Sequence, residues 1–518
     1  ECTMVRAALI NEHQRTWNLD DIALESIGQR KVDPYSELAE IFGGKPTRAA
    51  QIGNLVNAPE ELVARYAKKD PRLALDLWLW QEGEIKRQGL ERIVDFERLV
   101  TPVIQDLERG GVRVDPELAE RSEYDLSVII DRKTEELCKE AGFRVNPNPS
   151  GSIHKLFNPQ YDKGRGVWVS RDGTLLSSTG AGKPSIDADA LRRMTDPCAE
   201  RILELRKLLK CRDTFIRKHI LERQYNGRVY PNINQCVGED GGTVTGRLSY
   251  TSPALQQIPA RDEEIKSKTR VLFLPELDQH SLKCDYSQCD FRAMVHYTQS
   301  PPLVEAYRND PDTDFHGIVS GLTGLSRSPK FAGDPNAKQL NLGMIFGMGQ
   351  GKMAKQMGMP YTAEVDSRGR EWLRPGPEVL EVYDKYHANV PGVQSFNKKA
   401  TSVARSRGYV VSIAGRFLRF PDKNFCYKAP GYLYQSYTSE VNKAKMVETH
   451  RLLKGEDGRL VLTVHDELNF SIGDLGLVGR IRECMEDFHS DQALLKVNVP
   501  MRTDPEIGSN WFNVKEVK

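Results

Sequence analysis

The feature that most narrows the fold is a pair of short β-rich runs hinged on three polar residues: Arg459-Leu-Val-Leu-Thr-Val464-His465-Asp466-Glu467-Leu-Asn-Phe-Ser-Ile472. Two such runs meeting at His-Asp-Glu read as a hairpin with acids at its tip. A second run, Ser281-Leu-Lys-Cys-Asp285-Tyr-Ser, reads as a short strand and passes into a helical pattern at Phe291, Met294 and Val295. Asp285 therefore stands near a strand end, where a side chain can reach an open cleft. Two carboxylates at strand ends suit a two-metal site. Mg²⁺ takes hard oxygen ligands and keeps several waters. Two such ions about 4 Å apart can clamp the attacking and leaving oxygens of a phosphoryl transfer. An isolated Asp is more often a cap or a surface group, so the surrounding residues must decide.

At roughly 150 residues per domain, 518 residues predict three or four domains. With 39% hydrophobic and 28% charged residues, the chain is neither disordered nor collagen-like. No run approaches the ~18 apolar residues of a membrane span. The nine cysteines are an odd number and form no CxxC pair. A disulfide framework and a zinc ribbon are both disfavoured, and a reducing, intracellular site is expected. The opening Glu1-Cys2-Thr3-Met4 has neither an initiator Met nor a signal-peptide pattern, and reads as the start of a fragment.

Net charge is +1, from 73 Lys+Arg against 72 Asp+Glu, so only its distribution is informative. Residues 201–224 hold eight Lys/Arg against three acids, with Leu203, Leu205, Leu208, Leu209 and Phe215 at helical spacing. A helix with an apolar stripe and a basic outer face follows. That face is either merely solvated or tracks phosphates through Lys207, Lys210 and Arg212.

The first ninety residues look helical and polar, split at Phe42-Gly43-Gly44-Lys45-Pro46. A helix from Leu99 ends at the glycine pair 110–111. Pro116 opens another through about Ala141. Loops dominate 145–190, and short strands and turns fill 227–261. Asp334-Pro335 reads as N-cap and first residue of a further helix. On it Lys338, Leu342 and Phe346 stand at i, i+4 and i+8 and share a face. That face can offer a cation to phosphate and an apolar platform to a base. An amphipathic helix with a snorkelling lysine would show the same spacing.

Together these motifs carry a resemblance. Asp285-Tyr286-Ser287-Gln288-Cys289-Asp290-Phe291-Arg292 resembles motif A of the family A DNA polymerases, DYSQxExR, and Val464-His465-Asp466-Glu467-Leu468 is similar to their motif C, VHDEL. Asn336 through Gly347 looks like motif B. Thr245-Gly246-Arg247-Leu248-Ser249 and Leu255-Gln256-Gln257-Ile258-Pro259-Ala260-Arg261 resemble the family's TGRLSS…LQNIP stretch. The order and spacing of all five make the resemblance specific. It runs from about residue 95 to the C-terminus, and it looks closest to the phage-encoded and bacterial polymerase I branches.

The resemblance implies an α+β, multidomain, right-hand polymerase fold that adds dNTPs to a primer 3′ end on primer-template DNA. It implies a thumb at about 125–225, a palm with an antiparallel sheet at about 226–292 and 411–518, and helical fingers at about 293–410. Asp285 and Asp466 would hold two Mg²⁺ ions, for which Mn²⁺ can substitute. The Tyr286 carbonyl would be a further ligand and Glu467 an accessory acid. Lys338 would contact the incoming phosphates and could protonate pyrophosphate. His316 would touch the triphosphate, and Gln288, Asp290, Leu342 and Phe346 would line the nucleotide pocket. Arg247, Gln435 and His465 would meet the duplex. Arg419 receives no role. A monomer is expected. With no long insertion in the thumb, so is the absence of a thioredoxin-type processivity factor. The rival readings are a phage-type RNA polymerase and a non-catalytic DNA-binding scaffold.

The chain departs from the family pattern in four places. Asp334 stands where an Arg is usual, with Lys330 or Arg327 as replacements. Asp290 replaces a Glu, Leu342 a Phe or Tyr, and Phe346 a Tyr. In residues 1–95, Tyr66-Ala-Lys-Lys-Asp70 resembles the YxxxD motif of the family's 3′–5′ exonuclease domain. Its acidic partners would lie upstream of Glu1, so no proofreading is expected of this chain.

Overall fold

The computed structural model describes residues 2–14, 16–31, 33–148, 151–236, 243–260, 262–329, 334–365 and 371–517. Arg261 and Lys330 lie outside them.

A five-stranded antiparallel sheet organises the C-terminal part. Its centre is the strand His280–Tyr286, flanked by Glu467–Ile472 and Thr503–Gly508, with Gly458–Val464 and Val514–Glu516 at the edges. All six residues of Glu467–Ile472 are buried, as befits an inner strand covered on both faces. Register puts Asp285 opposite Glu467 on one side and opposite Asp504 on the other. The expected hairpin is present, with Val464 paired to Glu467 across the turn.

The helix Ala429–Leu452 lies behind this sheet, and 17 of its 24 residues are buried. It has no exposed polar face because other helices surround it, among them Glu91–Gly110, Cys289–Thr298, Val393–Arg407 and Leu477–Glu486. Residues 293–410 are mainly helical, but a hairpin pairing Tyr361–Val365 with Glu371–Pro375 interrupts them. The loop-rich stretch 145–190 contains a small three-stranded sheet. The helix Pro116–Ala141 ends where the sequence predicts, with Asp115 accepting from the Leu118 amide as its cap.

The basic helix runs over Pro197–Leu209 and continues as a π-helix, with more residues per turn, to Leu221. Ile202, Leu205, Leu208, Cys211, Phe215, Ile216 and Ile220 form its buried stripe; Leu203 and Leu209 are only half-buried.

In the N-terminal part, Thr3–Ile10 and Leu19–Ile27 pack on the long helix Glu60–Gln88. Arg419, assigned no role from sequence, fastens this layer to the rest. Its guanidinium donates to Glu12 (2.6 Å) and to Gln88 Oε1, and its amide donates to Glu12 (2.6 Å). All nine cysteines are free thiols. Among the described residues no helix is long and apolar enough to cross a membrane.

Candidate active site

A cleft of about 200 Å³ opens over the end of the central strand. Asp285, Gln288, Asp290, His316, Lys338, Leu342, Asp466 and Asp504 are among its lining residues. Two walls meet here. The sheet supplies acids, and the helices Phe315–Thr323 and Ala337–Ile345 supply His316 and Lys338.

On the acid wall, Asp466 is presented by a strained turn. His465, at the apex, has φ +58°, a region few side chains tolerate. The Asn442 side chain holds it by donating to the His465 carbonyl at 2.9 Å. Burial, and then the charges of Asp466 and Glu467, push the Asp285 carboxyl well above the usual range. Burial and then Asp290 raise Asp466. Asp285 Oδ1 is sealed from solvent with no hydrogen-bond partner among the described residues. A buried acid without a donor, beside a second acid, is costly unless a cation joins it.

Asp504 is an acid that sequence reasoning missed. Nothing in its local sequence marks it; only its register opposite Asp285 brings it to the cleft. The fully buried Arg292 fixes that neighbourhood, donating to the carbonyls of Ser287 (2.8 Å), Pro311 (2.7 Å) and Pro500. Asp290 accepts from Thr438 Oγ1 at 3.1 Å; burial raises its pKa, and the Arg247 and Lys338 charges oppose the rise.

On the other wall, the helix cap corrects the sequence reading. Asn336, not Asp334, is the N-cap: its Oδ1 accepts from the Gln339 amide at 2.8 Å. Pro335 thus precedes the helix. Lys338 and Leu342 face the cleft, but Phe346 is the C-cap residue and meets Tyr434 edge-on at 6.0 Å instead. The shared face breaks because the helix ends at Ile345. Arg327 lines the cleft and pairs with Asp314, just before His316.

Other expected residues are placed as follows. Gln288 lines the cleft, but its amide is engaged by the loop before His316, donating to Thr313 O and accepting from the Phe315 amide, both at 3.0 Å. Glu467 does not line the cleft. Its carboxylate accepts from Asn469 (2.8 Å) and Trp511 (3.1 Å) and pairs with Lys283 (3.7 Å). The Tyr286 hydroxyl donates to the Met485 carbonyl. Arg247 and His465 share a smaller neighbouring cleft with Gln256, Asn442 and Thr463. Gln435 is half-buried on the Ala429–Leu452 helix, outside both clefts.

Gly246 explains the Thr-Gly-Arg motif. Its φ is +79°, and a Cβ there would lie 2.6 Å from Arg416. Arg416 belongs to a buried network with Glu97, Glu440 and Lys443, and the Ser439 hydroxyl separately donates to Gly246 O at 2.7 Å. Close packing against Arg416 and the Ser439 bond together hold Gly246, the residue before Arg247.

The basic helix is not the free cationic face expected. Lys207 pairs with Asp262 and Glu264, both at 2.8 Å, and Arg212 with Asp213 at 2.7 Å; Lys210 is exposed, over the Phe215 ring. Tyr66 and Asp70 lie together on Glu60–Gln88, where Asp70 pairs with Lys31 at 3.1 Å.

This arrangement pairs strand-borne acids with a helix-borne cation across one cleft. Residues 118–513 match the sequence profile of DNA polymerase family A. DNA polymerase DpoZ of Acinetobacter phage SH-Ab 15497 is 46% identical over 99% of this chain and 84% of its own length. The chain belongs to DNA polymerase family A. It is a DNA-directed DNA polymerase, and neither the RNA polymerase nor the scaffold reading is favoured. DNA polymerase DpoZ of Vibrio phage phiVC8 is 40% identical over 99% of the chain and 83% of its own length. DNA polymerase I of Pseudomonas aeruginosa is 27% identical over 98% of the chain and 53% of its own length. The polymerase domain of Pol1 from M. smegmatis, solved with DNA primer-template and dNTP, has the same fold. Its TM-score is 0.76 at 21% identity, over 98% of this chain and 81% of that one.

Among the described residues no three His, Cys, Asp or Glu side chains gather into a ready-made ion cage. That is compatible with Mg²⁺, which is held through one or two carboxylates, waters and substrate phosphates. Asp285, with its unpartnered buried oxygen, and Asp466 beside it fit such an ion.

Proposed function

We propose that this family A polymerase adds dNTPs to a primer 3′ end on primer-template DNA, with the chemistry in the cleft between Asp285 and Lys338. The observation that carries this reading is the juxtaposition itself. The end of one strand and the turn of a neighbouring hairpin bring Asp285 and Asp466 together, and a helix sets Lys338 across from them. Bound Mg²⁺, or Mn²⁺ in its place, would neutralise charge developing on the α-phosphate and lower the pKa of the primer 3′-hydroxyl. Asp285 and Asp466 would hold the two ions. Lys338 orients the polyphosphate and offers a proton to departing pyrophosphate, while Asp290 and Leu342 bound the sugar side. Electrostatics and positioning would supply most of the barrier lowering. The sheet then serves as palm, residues 293–410 as fingers and the helices of 125–225 as thumb. The protein acts as a monomer.

Asp285→Asn and Asp466→Asn test the site. Each should lower extension by at least about 10³-fold, as expected when transition-state charge loses its support, with primer-template affinity little changed. Near-normal extension by either would sink the assignment. The same variants carry a pH signature. An acid whose folded pKa lies above its unfolded value of about 4 contributes full stability below that value. The contribution is lost as pH rises through the folded pKa. Both aspartates are raised. In EDTA, Asp285→Asn should therefore melt above the parent at mildly alkaline pH, and the gap should close toward pH ~4. A lower melting point at alkaline pH would contradict the cost assigned to this pair.

A further inference from the structure

Behind His316 lies a chain of buried polar groups that the proposed chemistry does not use. His316 is 3% exposed, and Asn341 and Tyr386 are fully buried. Asn341 Nδ2 is 3.0 Å from His316 Nδ1, and the Tyr386 hydroxyl is 2.7 Å from Asn341 Oδ1. The three residues come from separate helices, Phe315–Thr323, Ala337–Ile345 and Pro377–Asn389. We infer that Asn341 and Tyr386 are positioning residues that fix His316 as a neutral imidazole with its proton on Nε2. The nucleotide's phosphates then meet an uncharged donor beside the charged Lys338. The inference rests on reading this cleft as the nucleotide site.

Hydrogen-bond bookkeeping selects the tautomer. Asn341 can be turned two ways. If its oxygen faces Tyr386, it accepts the phenolic proton, its NH₂ faces His316, and Nδ1 must be the acceptor. If it is flipped, Tyr386 becomes an acceptor and its own proton needs another oxygen. Asn341 is the only hydrogen-bond partner found for that hydroxyl among the described residues. The flip would strand a buried O–H, a loss of about 1–3 kcal/mol. The unflipped arrangement satisfies every group, leaving Nε2 to carry the ring proton.

The charges around the ring agree. Burial and then Lys338 hold the His316 pKa down, to about 4, against the opposing pull of Asp314, which is itself paired with Arg327. A second cation beside Lys338 would be repelled, whereas a neutral Nε2–H can donate to a phosphoryl oxygen without adding charge. The consequence is a dNTP contact whose strength does not vary across the range where an ordinary histidine titrates, near pH ~6.5.

The test is ¹⁵N NMR of the histidine-labelled chain, with His316→Gln used to assign the signal. The expected spectrum at neutral pH shows a bare Nδ1 and a protonated Nε2, with no titration until well below pH ~6.5. A protonated Nδ1, or ordinary titration, overturns the inference. Tyr386→Phe removes the proton that orients Asn341. It should let Asn341 turn its oxygen toward His316 and move the ring proton to Nδ1, which withdraws the Nε2 donor and raises the dNTP KM, while kcat stays within about threefold. An unchanged tautomer and an unchanged dNTP KM in this variant would remove Tyr386 from the role, whatever its effect on melting. If Tyr386→Phe does not fold, the spectrum of the parent still decides the tautomer. His316→Ala separates the two layers: an unchanged dNTP KM would break the nucleotide-site reading and leave the tautomer result standing.

Discussion

Two stretches of this polymerase carry the same number of Lys and Arg residues, yet they differ in what those charges do. Residues 201–224 hold eight cations against three acids, and residues 393–428 hold eight against Asp422 alone. In the first stretch Arg201, Lys207, Arg212 and Arg217 are all ion-paired, with acids drawn largely from elsewhere in the chain. Arg206 is directed inward onto the carbonyls of Pro147 and Ile186. In the second, Lys398, Lys399, Arg405, Arg407 and Lys423 are exposed, and none of their side chains has an ion pair or hydrogen bond to a described residue. The one local acid, Asp422, caps its own turn by accepting from the Asn424 amide. Phe425 and Tyr427 stand exposed among these cations, with Lys428 over the Phe425 ring. Charge counted along a sequence measures supply; availability to a phosphate depends on which acids the fold brings alongside.

The comparison can be broken most directly at the second stretch. Replacing Lys398, Lys399, Arg405, Arg407 and Lys423 with Ala should weaken primer-template binding by about 10²-fold or more at low salt. The slope of log affinity against log salt should fall by about 0.9 for each lost phosphate contact. An unchanged slope would reduce this face to a solvated surface. Within the same stretch, Arg419→Ala should behave oppositely. It removes the guanidinium from Glu12, which is 5% exposed and keeps only the residue-419 amide from this pair, so it should lower stability by about 2–4 kcal/mol and leave the salt slope intact. Denaturant unfolding beside a salt titration separates the two effects. The smallest change is expected from replacing Lys207, Lys210 and Arg212 with Ala. Only Lys210 lacks a carboxylate partner, so the slope should fall by at most about 0.9. A fall near three times that would show that DNA displaces Asp262, Glu264 and Asp213 from their partners, and the contrast would vanish.

The N-terminal layer shows why some roles stayed hidden. Arg419 sits in an unremarkable Phe-Leu-Arg strand, and its partners Glu12 and Gln88 lie more than 300 positions upstream. The same holds at the cleft. Asp504 becomes an active-site neighbour only through sheet register, and Asn341 and Tyr386 become a pair only where two helices pack.

What the sequence determined by itself was local. The hairpin bearing Asp466, the strand bearing Asp285, the Pro116–Ala141 helix and the helix carrying Lys338 all follow from periodicity, caps and turn residues a few positions apart. The motifs on them were enough to name the family. Tertiary structure alone decided which charges are free. It locked Glu467 onto Lys283, Asn469 and Trp511, set Asn336 rather than Asp334 as the cap, and turned Phe346 toward Tyr434. It also neutralised most of the basic helix. The physical reason is range. Backbone preferences act within a turn or two of helix, but a side chain's partner is set by whichever element packs against it. In this chain those elements come from opposite ends of the sequence.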